Sequence, residues 1–203
     1  MINIALNKEN KNSLKTAWID VKKAFDSVDH SYLIDCIENL NLPCWISEFL
    51  KSTIEKWKLS IRYKNEQILE KRVERGILQG DSLSPLLFVL CMDPLSRRLN
   101  GKYPKLEVKL DRENYCSNHL LFIDDLKLFA ENDDNLKEMM CETQKFFTSV
   151  GLEMNREKSA TNSEPCESQA VVLNANEGYK YLEVTEDRDS EVTKSLKKRS
   201  VRK

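Results

Sequence analysis

Two histidines and five glycines are all that this 203-residue chain contains of either type, and its six cysteines form no Cys-x-x-Cys pair. The cysteines, at 36, 44, 91, 116, 141 and 166, are widely spread. That removes a zinc centre from consideration and reads as reduced, intracellular thiols. Long apolar runs are also missing. The longest, from Pro85 to Met92, falls far short of the roughly 20 residues that span a bilayer. Met1 is not followed by a basic segment and an apolar one, so no secretory signal is expected. No repeat and no low-complexity block occurs. What remains is a charged chain, 40% hydrophobic and 32% charged with a mean hydropathy of -0.54. It is expected to be soluble, to bury one core, and to reside in the nucleus or cytoplasm rather than be secreted.

An excess of one charge sign is absent too, the net charge being -1. This argues against strong non-specific affinity for nucleic acid. The distribution is uneven, however. Residues 194–203 carry six Lys or Arg and no acid, leaving 26 basic against 33 acidic residues, a charge of -7, in the rest. A basic tail can touch phosphates or support nuclear import, but it reads first as a solvated, frayed terminus. The expected division is a folded unit over 1–185 and a charged, flexible tail over 186–203.

Lys15 to Val21 alternates Ala17, Ile19 and Val21 with Thr16, Trp18 and Asp20 and predicts a strand with Asp20 near its end. Asp29 is placed to cap a helix reaching about Asn41, and Pro43 separates it from a second carrying Trp45, Ile46, Phe49, Leu50 and Ile54. Leu59, Ile61 and Tyr63, then Ile68 and Val73, suggest a polar hairpin turning at 64–66. Ser84 and Pro85 read as the N-cap and first position of a buried helix, which Pro94 is expected to kink or break. Asn118 to Ile123 and Leu126 to Phe129 predict a tight hairpin with Asp124 and Asp125 at its tip. Asp133 or Asp134 starts a helix that Gly151 stops, and a strand follows around Leu152 to Asn155. The order predicts an α+β fold, a ferredoxin-like split βαβ sheet (βαββαβ) packed on helices.

Asp20, Asp124 and Asp125 are the acids placed at the ends of apolar strands. In a βαββαβ layout the first strand and the central hairpin are neighbours, so these carboxylates would converge. Clustered carboxylates are costly unless a cation neutralises them, and hard oxygen ligands favour Mg²⁺ or Mn²⁺. Two such ions can bridge an attacking hydroxyl and a leaving phosphate oxygen; the same acids could equally serve as an acid/base pair. The second acidic pair, Asp133-Asp134, needs nothing beyond helix capping. Asp124-Asp125 differs in setting, with Leu-Leu-Phe-Ile before and Leu-Lys-Leu-Phe after, where buried acids need a partner. Glycine is scarce, so Gly76 and Gly80 around one short segment are informative. Gly76 to Pro85 puts backbone donors ahead of a helix N-terminus, where a phosphate or nucleotide can rest, and Gln79 adds a planar amide. A plain turn with a capped helix accounts for the same residues.

Three segments together resemble successive core motifs of reverse transcriptases, particularly those of non-LTR retrotransposons: Ala17-Trp-Ile-Asp20-Val-Lys-Lys-Ala-Phe-Asp26-Ser-Val, Gly76-Ile-Leu-Gln-Gly-Asp-Ser-Leu-Ser-Pro-Leu-Leu-Phe88, and Phe122-Ile-Asp-Asp-Leu-Lys-Leu-Phe129. Gly151 to Lys158 resembles the family's next motif and Tyr179 to Val184 the one after. The resemblance implies a right-hand polymerase palm with partial fingers. It implies that Asp20 and Asp124 are principal ligands of two Mg²⁺ (or Mn²⁺) ions, with Asp125 completing the set and the Val21 carbonyl adding an oxygen. Phe25 would stand against the sugar 2′ position and exclude ribonucleotides, although the same ring reads equally as core. Gln79 and Gly80 would lie along the incoming nucleotide, Lys158 would help protonate pyrophosphate, and Tyr181 and Leu182 would lie near the primer end.

Glu183 stands where the family usually has glycine. The basic fingers segments that precede the first motif in the family are not recognisable, nor is a thumb after residue 185. The expected function is therefore an RNA-directed DNA polymerase domain, nucleotidyltransferase by resemblance, from an incomplete retrotransposon-derived copy. Its expected partners are an RNA template, a DNA primer, a deoxynucleoside triphosphate and a further polypeptide for fingers and thumb, with no membrane. A catalytically silent palm-fold module that binds nucleic acid or protein is the alternative, and a non-polymerase phosphotransferase using the same acids is a third.

Overall fold

Thr16, Trp18 and Ile19 are β-favouring residues, and they form the strand at the centre of the protein, β1 (Lys15–Ile19). The computed structural model describes residues 14–64, 66–110, 113–174, 177–187 and 199–200. After β1 come a one-turn helix α1 (Ala24–Ser27), α2 (His30–Glu38) and α3 (Cys44–Glu55), then β2 (Lys58–Tyr63) and β3 (Glu66–Arg72). The long helix α4 (Ser84–Lys102), the hairpins β4 (Leu106–Leu110) with β5 (Glu113–Ser117) and β6 (His119–Phe122) with β7 (Asp125–Ala130), and α5 (Asp133–Ser149) follow. The last elements are β8 (Ala160–Thr161), a 3₁₀ turn, β9 (Val171–Val172), β10 (Glu177–Tyr181), β11 (Val184–Asp187) and β12 (Arg199–Ser200).

The main sheet has the order β6-β7-β1-β8-β9. β7 and β8 flank β1 antiparallel, and β9 runs parallel to β8. Its first four strands have the spatial order of a split βαβ unit, as expected. Both faces are covered. Ala17, Ile19, Leu126 and Leu128 pack with Leu87, Phe88, Met92, Met140 and Phe147 of α4 and α5. Trp18, Ala160, Leu173, Tyr179 and Tyr181 form a smaller cluster on the other face. Burying each large apolar side chain contributes ~1.5–3 kcal/mol.

Local signals hold where expected. The Asp29 carboxylate accepts from the backbone N–H groups of Ser31 and Tyr32, capping α2. Leu152 N–H reaches back to the Phe147 carbonyl at 2.8 Å while Gly151 stands at φ 83°, closing α5. The cap of α5 is Asn132 rather than either aspartate. All six cysteines are free.

Several expectations are corrected. Pro94 lies inside α4 without ending it; Met92, Leu95 and Leu99 are buried on both sides of it, and that packing outweighs the roughly 3 kcal/mol that an interior proline costs. Ser84 is the first helical residue, not the N-cap, and its hydroxyl donates to the Leu78 carbonyl. No strand spans Leu152 to Asn155: only Met154 bridges Val21, and the ladder with β1 is made by β8. β1 itself stops at Ile19. The polar hairpin forms as β2–β3 with every described residue exposed, whereas β4–β5 had no counterpart in the sequence reading. Glu186 and Asp187, assigned to the tail, belong to β11; residues 188–198 and 201–203 of that tail lie outside the described residues. Among the described residues no helix is long and apolar enough to cross a membrane.

Candidate active site

β1 ends at Ile19 opposite Leu126, so the next residue on each strand places Asp20 beside the start of β7 at Asp125. Phe122 pairs with Asp125 across the β6–β7 turn, which leaves Ile123 and Asp124 as its two central residues, with Ile123 at φ 56°. Asp20 and Asp124 thereby line one open cleft of about 830 Å³, together with Val21, Phe25, Gln79 and Lys158. Asp125 starts the strand beside this cleft, on the face shared with Lys127. The Tyr181 hydroxyl donates to the Asp125 carbonyl at 3.5 Å. Burial, then the negative charges of Asp125 and Glu186, push the Tyr181 phenol well above its ordinary value.

Asp20 is held on three sides by the segment after α5. Its backbone N–H donates to Ser159 Oγ at 3.0 Å, its carbonyl accepts from Asn155 N–H at 2.8 Å, and Asn155 Nδ2 donates to its Oδ2 at 3.1 Å. Asn155 and Ser159 escape a sequence reading that looks for charged groups. Their signal is position alone, within and just after the Gly151 to Lys158 motif.

The second wall is the Gly76 to Gly80 segment. Gly76, at φ 89°, lies so close to α1 that a Cβ would stand 2.9 Å from both the Cα and the carbonyl oxygen of Asp26; glycine is required for the turn and for the approach. Ile77 N–H donates to the Phe25 carbonyl at 2.7 Å, and His30 Nε2 meets the Gly76 carbonyl at 2.7 Å. Gly80 has φ 92° with open space around it, so only its conformation calls for glycine. Gln79 Nε2 lies 3.5 Å from Asp26 Oδ1. The Phe25 ring is half-buried and stacks on Phe88, with centroids 4.9 Å apart, which fixes its edge at the cleft. Arg75 was not foreseen. It donates from Nε to the Ser27 carbonyl and from Nη2 to that of Gly151, tying two walls together. Tyr181 is buried in β10, and Leu182 is exposed at the tip of the β10–β11 hairpin.

Hard oxygen donors line the cleft, the Asp20 and Asp124 carboxylates with the Val21 backbone, and Asp26, Glu153 and Glu157 belong to the same lining. Among the described residues no three acidic, histidine or cysteine side chains form a complete metal cage. Mg²⁺ does not require one, because it is commonly held by one or two carboxylates plus the phosphates of a substrate. The donor set fits ions delivered with a nucleotide.

Comparison with known proteins agrees with this geometry. Residues 3–185 match the family described as reverse transcriptase (RNA-dependent DNA polymerase). The chain is 33% identical over 163 residues to the retrovirus-related Pol polyprotein from type-2 retrotransposable element R2DM of Drosophila melanogaster, covering 79% of this chain and 15% of that protein. It is 33% identical over 160 residues to the Pol polyprotein of the R2 element of Nasonia vitripennis, covering 77% of this chain and again 15% of the relative. The chain thus spans a small part of these relatives. Among solved structures, apo telomerase from Candida tropicalis lacking its C-terminal domain superposes with a TM-score of 0.66 at 18% identity, covering 95% of this chain and 38% of that one. Telomerase of the same organism with a fragment of telomeric RNA gives 0.64 at 17% identity, covering 95% of this chain and 32% of that one. The fold is a polymerase palm. With the aspartates, glycine turn and central hairpin in the order of the family's motifs, the chain belongs to the reverse transcriptase family, on the non-LTR retrotransposon side of it.

Proposed function

We propose that this chain is the palm of an RNA-directed DNA polymerase that adds deoxynucleotides to a primer 3′-hydroxyl on an RNA template. The observation that carries the reading is the meeting of Asp20 and Asp124, 104 positions apart in the sequence, in one cleft with Phe25, Gln79 and Lys158.

Asp20 and Asp124, with the Val21 carbonyl and Asp125 adjoining, would hold two Mg²⁺ or Mn²⁺ ions. When bound, these supply charge neutralisation and a lowered hydroxyl pKa for an in-line displacement. The other residues bind and orient. Asn155 and Ser159 fix Asp20 so that its carboxylate needs little reorganisation. Phe25, braced by Phe88, presents a rigid ring to the sugar and rejects a 2′-hydroxyl by bulk. Gln79 and Gly80 lie along the incoming nucleotide, and Lys158 holds a proton for the departing pyrophosphate. Tyr181 and Leu182 border the primer end.

The test is extension of a labelled DNA primer on an RNA template by the full chain with Mg²⁺ or Mn²⁺. Asp124→Ala is expected to reduce extension by about 10²-fold or more. Extension that survives this substitution overturns the mechanism. Retention of template-primer with no extension by the wild-type chain favours a silent binding module instead.

A further inference from the structure

Lys127 is a fully buried lysine in the strand that begins with Asp125, and Glu186 is a fully buried glutamate in β11. Lys127 Nζ donates to Glu186 Oε2, and the same oxygen accepts from Trp18 Nε1 at 3.0 Å. Three rings enclose the ammonium, with centroids at 5.0 Å (Trp18), 5.1 Å (Phe129) and 5.9 Å (Tyr181). Tyr179 stacks on Trp18 at 5.6 Å. Burial lowers the Lys127 pKa and the Glu186 charge opposes the shift. An isolated charge here would cost several kcal/mol, so each group requires the other.

The placement of the pair matters as much as its burial. Strand period 2 puts Trp18 one step below Asp20 on β1 and Lys127 one step below Asp125 on β7, on one face of the sheet. Glu186 comes from the β10–β11 hairpin, which also carries Tyr181 and Leu182. The ion pair therefore joins the hairpin to the two strands that carry the acids, directly beneath them.

We propose that the Lys127–Glu186 pair is a clasp that sets the position of the β10–β11 hairpin relative to Asp20 and Asp125, making Lys127 and Glu186 positioning residues for the primer end. This deepens the polymerase reading and rests on it for the primer. Cation and ring contacts contribute attraction, but the directional bonds from Lys127 and Trp18 to one carboxylate oxygen fix the hairpin's register.

The experiment compares wild type, Lys127→Met, Glu186→Leu, the milder Glu186→Gln and the double variant Lys127→Met/Glu186→Leu, all in the full chain. Hydrogen exchange over 177–187 reads the clasp without reference to catalysis. Each single variant is expected to lower protection there and to raise the primer KM about tenfold, with a much smaller change in kcat. Glu186→Gln should show the same trend if the other singles fail to fold. The double variant, which strands no charge but lacks every bond to the Glu186 carboxylate, is expected to regain thermal stability while protection over 177–187 stays low and the primer KM stays raised. Unchanged hairpin protection in the single variants, or a double variant with wild-type protection and primer KM, overturns the clasp. If the wild-type chain does not extend primers, the polymerase reading fails while the exchange comparison still decides whether the pair docks the hairpin.

Discussion

Leu182 and Glu183 stand at φ 45° and 63°, the two positive angles that a tight hairpin turn requires and that side chains with a Cβ adopt at a cost. Glycine is the residue the family usually places at 183. The Glu183 carboxylate pairs with Lys180, yet both groups are well exposed, and such pairs contribute little. Relief of backbone strain therefore outweighs loss of the pair. Glu183→Gly is expected to stabilise the fold by about 1 kcal/mol, read as a higher urea midpoint with unchanged slope. At this scale the sequence discloses residues whose role is local. Asp29 announces a cap, and Asp124 sits between two apolar runs. Groups whose meaning lies in a distant partner stay hidden. Lys127 gave one hint, a charge amid Leu-Lys-Leu-Phe, and its answer lay 59 residues away. Arg75 gave none and Asn155 only its place in the Gly151 to Lys158 motif, both being ordinary polar side chains until the fold brings carbonyls and a carboxylate to them.

Between elements, His119 joins β6 to α4. Its Nδ1 faces Asn118 Oδ1 at 2.7 Å and its Nε2 faces Ser96 Oγ at 2.8 Å, a pattern that suits a neutral ring with the proton on Nδ1. Burial, and secondarily the charge of Lys105, holds its pKa below the ordinary 6.5. The unfolded chain then binds more protons as pH falls below that value, so stability is full above about 6.5 and is lost toward lower pH. Urea midpoints from pH 7.5 to 5 are expected to fall for the wild type and to fall less for His119→Gln. The elements legible in advance had both a pattern and a boundary, as α2 does between Asp29 and Pro43 and β6–β7 does around its acidic turn. β8 was illegible because two residues have no period; Ala160 and Thr161 are a strand only because β1 offers them an edge. Pro94 misled for the converse reason, since buried leucines around it hold α4 together against a local penalty.

For the whole molecule, the first strand among the described residues is also the most central. β1 pairs with β7 and β8, both far along the chain, while the helices in between have no sheet to cover until those strands arrive. The split βαβ order could be read from the succession of patterns, because two facing helices and four strands leave few arrangements. Which elements would stay outside it could not, and β2–β3 and β4–β5 form ribbons of their own. A fragment ending at Ile123 lacks both neighbours of β1 and is expected to show no cooperative thermal transition by circular dichroism, whereas the full chain should show one. The opposite result would place the stability elsewhere.

Translation meets this arrangement one residue at a time. Lys15 finds its partner only at Ala130, and at ordinary ribosomal speed that interval is on the order of ten seconds. Throughout it Ala17, Trp18 and Ile19 leave the exit tunnel as an unsheltered apolar ribbon, the natural target of a holding chaperone.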